Sequence, residues 1–133
     1  MIEHLTAEQL EALMDALPIE IVFVDEDDRL RYWNKPETRS GGGRSDMLGR
    51  DIRQCHKPES LPRLEQMLDD LKTGRKNEDE FWIEGLGNRI MNRFLAVRDK
   101  SGRYLGVLEY LLDFTAAEQL AESKKDSPVF RAR

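Results

Sequence analysis

Hydrophobic positions along the chain follow two periods, and the switches between them mark the elements. Leu10, Leu13, Met14 and Leu17 recur at i, i+3, i+4 and i+7, the stripe of an amphipathic helix. Thr6-Ala7-Glu8-Gln9 has the form of a capping box at its start, and Pro18 ends it. From Ile19 to Asp25 the period drops to two, with Ile21 and Phe23 opposed to Val22 and Val24. Asp25-Glu26-Asp27-Asp28 supplies turn formers, and Leu30 to Trp33 runs back, so a β-hairpin is expected. The four acids lack the glycine and distal glutamate of a calcium loop and read as a solvated turn.

Regular periodicity is lost between Asn34 and Asp51. Pro36 and the Gly41-Gly42-Gly43 run favour a loop with short helical turns. A phosphate-binding loop would continue Gly-Lys-Ser/Thr, whereas Gly43 is followed by Arg44-Ser45. A second helix follows, carrying Leu61, Leu64, Met67, Leu68 and Leu71 on one face. Ser60 is its expected cap, Pro62 sits in the first turn and Gly74 is the stop.

Three strands come next. Asp79 to Glu84 sets Phe81 and Ile83 against Trp82. Arg89 to Arg98 sets Ile90, Phe94 and Ala96 against Met91, Leu95 and Val97. Tyr104 to Leu112 is the most apolar and is entered by the turn Asp99-Lys100-Ser101-Gly102. Asp113-Phe114-Thr115 leads into a last helix with Thr115 and Glu118 in capping-box spacing, and the tail from Lys124 is charged.

Strands divided into an N-terminal pair and a C-terminal triple close as one antiparallel sheet of five, with the intervening segment crossing one face. The expected class is α+β: helices on one face, flanking helices at both ends, and a cavity between sheet and crossing helices. The divisions are 1–17 for the N-terminal helix, 18–115 for the domain proper and 116–133 for the C-terminal helix and tail.

Composition narrows the function classes. The 133 residues carry a net charge of −5, with a pI near 5.1, so there is no basic surplus for nucleic-acid phosphates. The single cysteine, Cys55, allows no internal disulfide and fits a reducing compartment. Met1-Ile2-Glu3-His4 turns polar at once, and no apolar run reaches the 18 residues of a membrane span. A cytoplasmic location without membrane contact is the expectation.

With these elements in place the chain resembles a PAS domain from about Leu13 to Thr115. The likeness is carried by Ile21-Val22-Phe23-Val24-Asp25 with Arg31-Tyr32-Trp33-Asn34, by Leu48-Gly49-Arg50-Asp51-Ile52, and by Gly106-Val107-Leu108-Glu109-Tyr110 to Asp113-Phe114-Thr115. Two sub-groups are closer in motif. Cys55-His56-Lys57-Pro58-Glu59-Ser60 is similar to a Cys-His-Pro-Pro-x-Ser stretch in PAS modules found with hemerythrin-like domains. Gly49-Arg50-Asp51-Ile52-Arg53-Gln54-Cys55-His56 resembles the segment of haem-binding, carbon-monoxide-responsive bacterial regulators whose histidine ligates the iron. That resemblance implies haem as cofactor, with His56 as the iron ligand. The position of the regulators' second axial methionine falls on Trp82 or Ile83, neither of which binds iron, and Met91 on the next strand is the nearest substitute.

The residues leave several readings open. His56 is either a haem ligand or a brace for the helix start, and Cys55 either competes for ferric haem or is a small packed side chain. One Cys and one His fall two donors short of a structural zinc site. Adjacent side chains on extended backbone point apart, so Cys55 and His56 do not make a catalytic pair, and no enzyme is expected. Trp33, Phe81, Trp82 and Phe94 read mostly as packing. Glu109, in an apolar strand, must face solvent, a partner or a polar ligand, because an unpaired buried carboxylate is costly, and solvent or an interface is the first expectation.

The reading is a single-domain sensor that binds haem through His56, senses a diatomic gas or redox state, and signals by protein–protein contact. Its alternatives are a haem-free dimerisation module and a sensor of a small metabolite. A homodimer through the N-terminal helix and a separate signalling protein are the expected partners.

Overall fold

The computed structural model describes residues 1–35, 45–85 and 87–128. The Gly41-Gly42-Gly43 run and the end of the charged tail lie outside these. The first helix, α1 (Ala7–Ala16), opens on the expected box: the Gln9 amide donates to Thr6 Oγ1 and the Thr6 amide to Gln9 Oε1, each at 3.0 Å. Strands β1 (Glu20–Asp25) and β2 (Leu30–Trp33) form the hairpin, and α2 (Leu61–Thr73) follows. Then come β3 (Glu78–Gly85), β4 (Asn88–Arg98), β5 (Tyr104–Asp113) and α3 (Phe114–Ser123). The sheet order is β2-β1-β5-β4-β3, antiparallel throughout. Chain neighbours pair as hairpins, and β5 returns through the middle to pair with β1, so the segment between β2 and β3 must cross a face.

Register decides what that face presents. Directly opposed residues share a face of an antiparallel sheet. The pairs Val22↔Glu109, Val24↔Val107, Asn92↔Leu111, Phe94↔Glu109 and Phe81↔Asn92 therefore place all these side chains together. Over them lies α2, whose Leu64, Met67, Leu68 and Leu71 join Val24, Leu30, Ile52 and Val107 in the core. Gly74, at φ +79°, supplies the left-handed residue that stops α2, as its position in the sequence predicts.

Three local expectations are corrected. Ser60 makes no capping bond, because a 3-10 turn at Pro58–Ser60 runs straight into α2 and holds Ser60 in helical rather than extended backbone. The cap of α3 is Asp113, whose Oδ1 accepts from the Ala116 amide at 3.1 Å. Thr115 lies inside that helix and accepts instead from the Arg89 amide at 2.8 Å, tying α3 to the start of β4.

The third correction is to the acidic turn. Asp28 is buried, with positive φ, and Lys72 Nζ lies 2.8 Å from its carboxylate and Arg53 Nη2 3.0 Å from it. Arg53 also binds Asp51 at 3.1 Å and Glu65 of α2 at 3.1 Å. The Glu65 carboxylate, helped by Asp51 and Asp28 and opposed by partial burial, lifts the Arg53 guanidinium still further above its ordinary range. The turn is thus bound to α2 and to the segment that carries His56.

Candidate functional site

A cavity of about 240 Å³ lies between the sheet and α2. Val22 and Val24 of β1, Phe94 of β4, and Val107 and Leu111 of β5 form its floor. Leu64, Met67 and Leu68 form its roof, and Trp33, Ile52, Cys55 and His56 also line it. The sheet-facing parity of these strands is apolar, so the hollow is mostly apolar too.

His56 follows the 3-10 turn Ile52–Cys55, whose first residue is buried in the core while Asp51 caps it by accepting from the Arg53 amide at 2.9 Å. Burial pushes the Asp51 carboxyl up, but the Arg53 amide and guanidinium outweigh it and hold it below the usual range. The turn brings His56 Nδ1 to 2.8 Å from the Ile52 carbonyl oxygen. A carbonyl can only accept, so Nδ1 carries the proton and Nε2 keeps the lone pair in the neutral ring. A backbone acceptor on one ring nitrogen leaves the other as a hydrogen-bond acceptor or metal ligand. His56 itself is exposed and stands at the rim, beside half-buried Cys55.

Trp82, Ile83 and Met91, the other candidate cofactor positions, are not among the described residues that line this cavity. Met91 pairs with Trp82 and with Leu112, so both Met91 and Trp82 have the parity opposite to Phe81, Asn92 and Phe94. Met91 is 4% exposed on that far side, and Trp82 packs on Phe114 with ring centroids 5.0 Å apart. Ile83 shares the parity of Phe81 but lies farther along β3, 50% exposed and outside the lining. Phe81 instead meets Phe94 edge-on at 5.5 Å.

Glu109 is corrected as well. Its pairing with Val22 and Phe94 turns it to the cavity, where Glu20 also lines the wall. Asn92 was missed: its Oδ1 is buried at the cavity without a hydrogen-bond partner. The signal was available, because Asn92 interrupts the otherwise apolar parity Ile90, Phe94, Ala96. Among the described residues no cluster of three or more His, Cys, Asp or Glu could hold a metal ion.

An antiparallel sheet of this order, roofed on one face around a hollow, is the architecture of a sensory module. A family model described as a PAS domain matches residues 10–115, and the chain belongs to the PAS domain family. PAS domains are sensory parts of signalling proteins. A C-terminal domain from Streptococcus mutans is 30% identical over 87% of this chain and 90% of that one, with a TM-score of 0.78. The PAS domain of BvgS from Bordetella pertussis is 18% identical over 90% of this chain and 92% of that one, with a TM-score of 0.56. VqmA from Vibrio cholerae, solved with a ligand and DNA, is 19% identical over 98% of this chain and 62% of that one, with a TM-score of 0.59. The last two share the fold. Among curated proteins no match is found. No helix of the described residues is long and apolar enough to cross a membrane.

Proposed function

We propose that this PAS domain is a sensor whose cavity receives a small organic molecule and whose occupancy is passed on by protein–protein contact. The observation that carries the reading is the roofed hollow of about 240 Å³, apolar with a few convergent polar groups. Among the described residues the roof is α2, tied to the rim by Arg53, Asp28 and Lys72, so a ligand that moves α2 also moves the β1–β2 turn.

Haem on His56 is the second reading, for a gas or redox sensor of the regulator type. It is favoured by the fixed Nδ1 proton, which leaves Nε2 as a donor at the rim. The volume and charge suit it less well. The hollow falls below the range of roughly 300–1,000 Å³ common for drug-sized ligands. Its described lining carries Glu20 and Glu109 and no Lys or Arg to meet two propionates.

The proposed output contact is a homodimer through α1, with a separate signalling protein as further partner. No residue of α1 is buried, and Leu13 is 49% exposed on its apolar stripe. A monomer in light scattering at high concentration would remove this part of the proposal.

One preparation separates the two ligand readings. Protein incubated with hemin is expected to show no Soret band that depends on His56, while members of a small-metabolite panel raise the unfolding temperature. Val107→Phe, which fills the hollow, is expected to abolish that rise. At a hundred times Kd the stabilisation is about 2.7 kcal/mol. A Soret band lost in His56→Ala would establish haem instead.

A further inference from the structure

Resting on the small-molecule reading, we infer that the ligand has a compact apolar body of about ten heavy atoms, keeps its polar group at the mouth, and is selected by size. Volume sets the count. A cavity of about 150 Å³ lined by Leu, Ile and Phe takes benzene, with about six heavy atoms. In the same proportion, the hollow of about 240 Å³ takes about ten.

Trp33, Val22 and Phe94 lie on one row across the sheet, since Trp33 pairs with Val22, Val22 with Glu109 and Glu109 with Phe94. The row spans three strand spacings, roughly 14 Å between the outer backbones, and Leu64, Met67 and Leu68 close over it. The polar atoms of the wall are already committed or sealed. Asn92 Oδ1 is itself buried, and Glu20 and Glu109 each have an interaction within the protein. A charged body would give up its hydration on entering, at a cost that apolar walls do not return. The mouth differs, because His56 is exposed there, with Nδ1 bound to the Ile52 carbonyl and Nε2 left as an acceptor. A hydroxyl end beside it keeps its water. Carbons beyond about the tenth emerge past the rim and bury little further area.

The test titrates a homologous series, the ω-phenylalkanols from phenylmethanol to 7-phenylheptanol, into the full chain by calorimetry. Amide shifts in ¹⁵N-labelled protein at Val22, Phe94 and Val107 locate the binding. Each added methylene is expected to tighten binding about fourfold while it enters the hollow, and less than about twofold once it does not. The change of slope should fall between 3-phenylpropanol and 5-phenylpentanol. Val22→Ala, which removes two floor carbons, should move that break about two methylenes later. Val22→Ile, which adds one carbon, should move it about one methylene earlier.

Affinity that rises unbroken to 7-phenylheptanol, a break outside that interval, or a break that ignores both Val22 variants overturns the inference and leaves the small-molecule reading standing. So does failure of every phenylalkanol to bind while xenon under pressure still shifts the lining methyls. If neither the phenylalkanols nor xenon reach the lining residues, the small-molecule reading fails and takes this inference with it.

Discussion

Replacing Gly106 with alanine is expected to lower the unfolding temperature by roughly 10 °C, read by circular dichroism on heating. Gly106 lies within β5 at φ +151°, where a side chain is strained whatever the space around it. The space is also taken: a Cβ there would sit 2.1 Å from the Val24 carbonyl oxygen and within 2.9 Å of two Phe23 ring carbons. That oxygen belongs to backbone, and Val24 and Asp25 are held in register against Val107 and Gly106. Retreat would open the β1–β5 join that unites the N-terminal hairpin with the other three strands. Overpacking and strain together cost on the order of 3 kcal/mol. An unchanged melting curve would show that the two strands are not this close.

Asn34→Ala is expected to cost a similar amount, about 3 kcal/mol, and to loosen α1 before the rest unfolds. Asn34 is 0% exposed, and its side chain makes three bonds at once. Oδ1 accepts from the Ile21 amide at 2.7 Å, and Nδ2 donates to the carbonyls of Met14 and Ile19, each at 2.9 Å. Truncation leaves one amide and two carbonyls without these partners, each worth roughly 1–3 kcal/mol where water cannot replace the bond. Hydrogen exchange should rise first at Leu17 and Ile21. Exchange that rises uniformly, or not at all, would mean that Asn34 does not hold α1 to the sheet.

The elements were legible because each follows from a local rule. The stripe Leu61, Leu64, Met67, Leu68 and Leu71 can only be a buried helix face, and Gly74 can end it at low cost. The alternation from Ile19 to Asp25 marks a strand with two apolar faces, and the structure shows that Val22 and Val24 meet the roof. What failed to show was whatever depends on partners far along the chain. Asp28 reads as one more solvated acid in a turn until Arg53 and Lys72 close on it from 25 and 44 residues away. Ser60 and Thr115 have the chemistry of caps, but the preceding 3-10 turn and the nearer Asp113 claimed those positions.

The site divides the same way. His56 and Cys55 were legible as a motif, and the structure brings both to the cavity. Trp82 was a candidate by aligned position and Met91 by side-chain chemistry, and the parity of β3 and β4 puts both on the other face. Glu109 was placed outward because burial of a carboxylate is unfavourable. That argument governs stability, and here register overrode it in favour of a polar group facing the hollow. Asn92 breaks the same rule one strand away, and the two stand side by side along the cavity proposed here to receive a ligand.

The account stands on an accessible hollow bounded by particular side chains, and xenon reads that directly. In methyl-labelled protein under rising xenon pressure, the methyl shifts of Val22, Leu68, Val107 and Leu111 should change steeply and saturate. Those of Leu13 and Leu120, on exposed helix surfaces, should drift only slightly and linearly. Small linear shifts at every methyl would mean a filled interior, and the proposed sensing site would not exist.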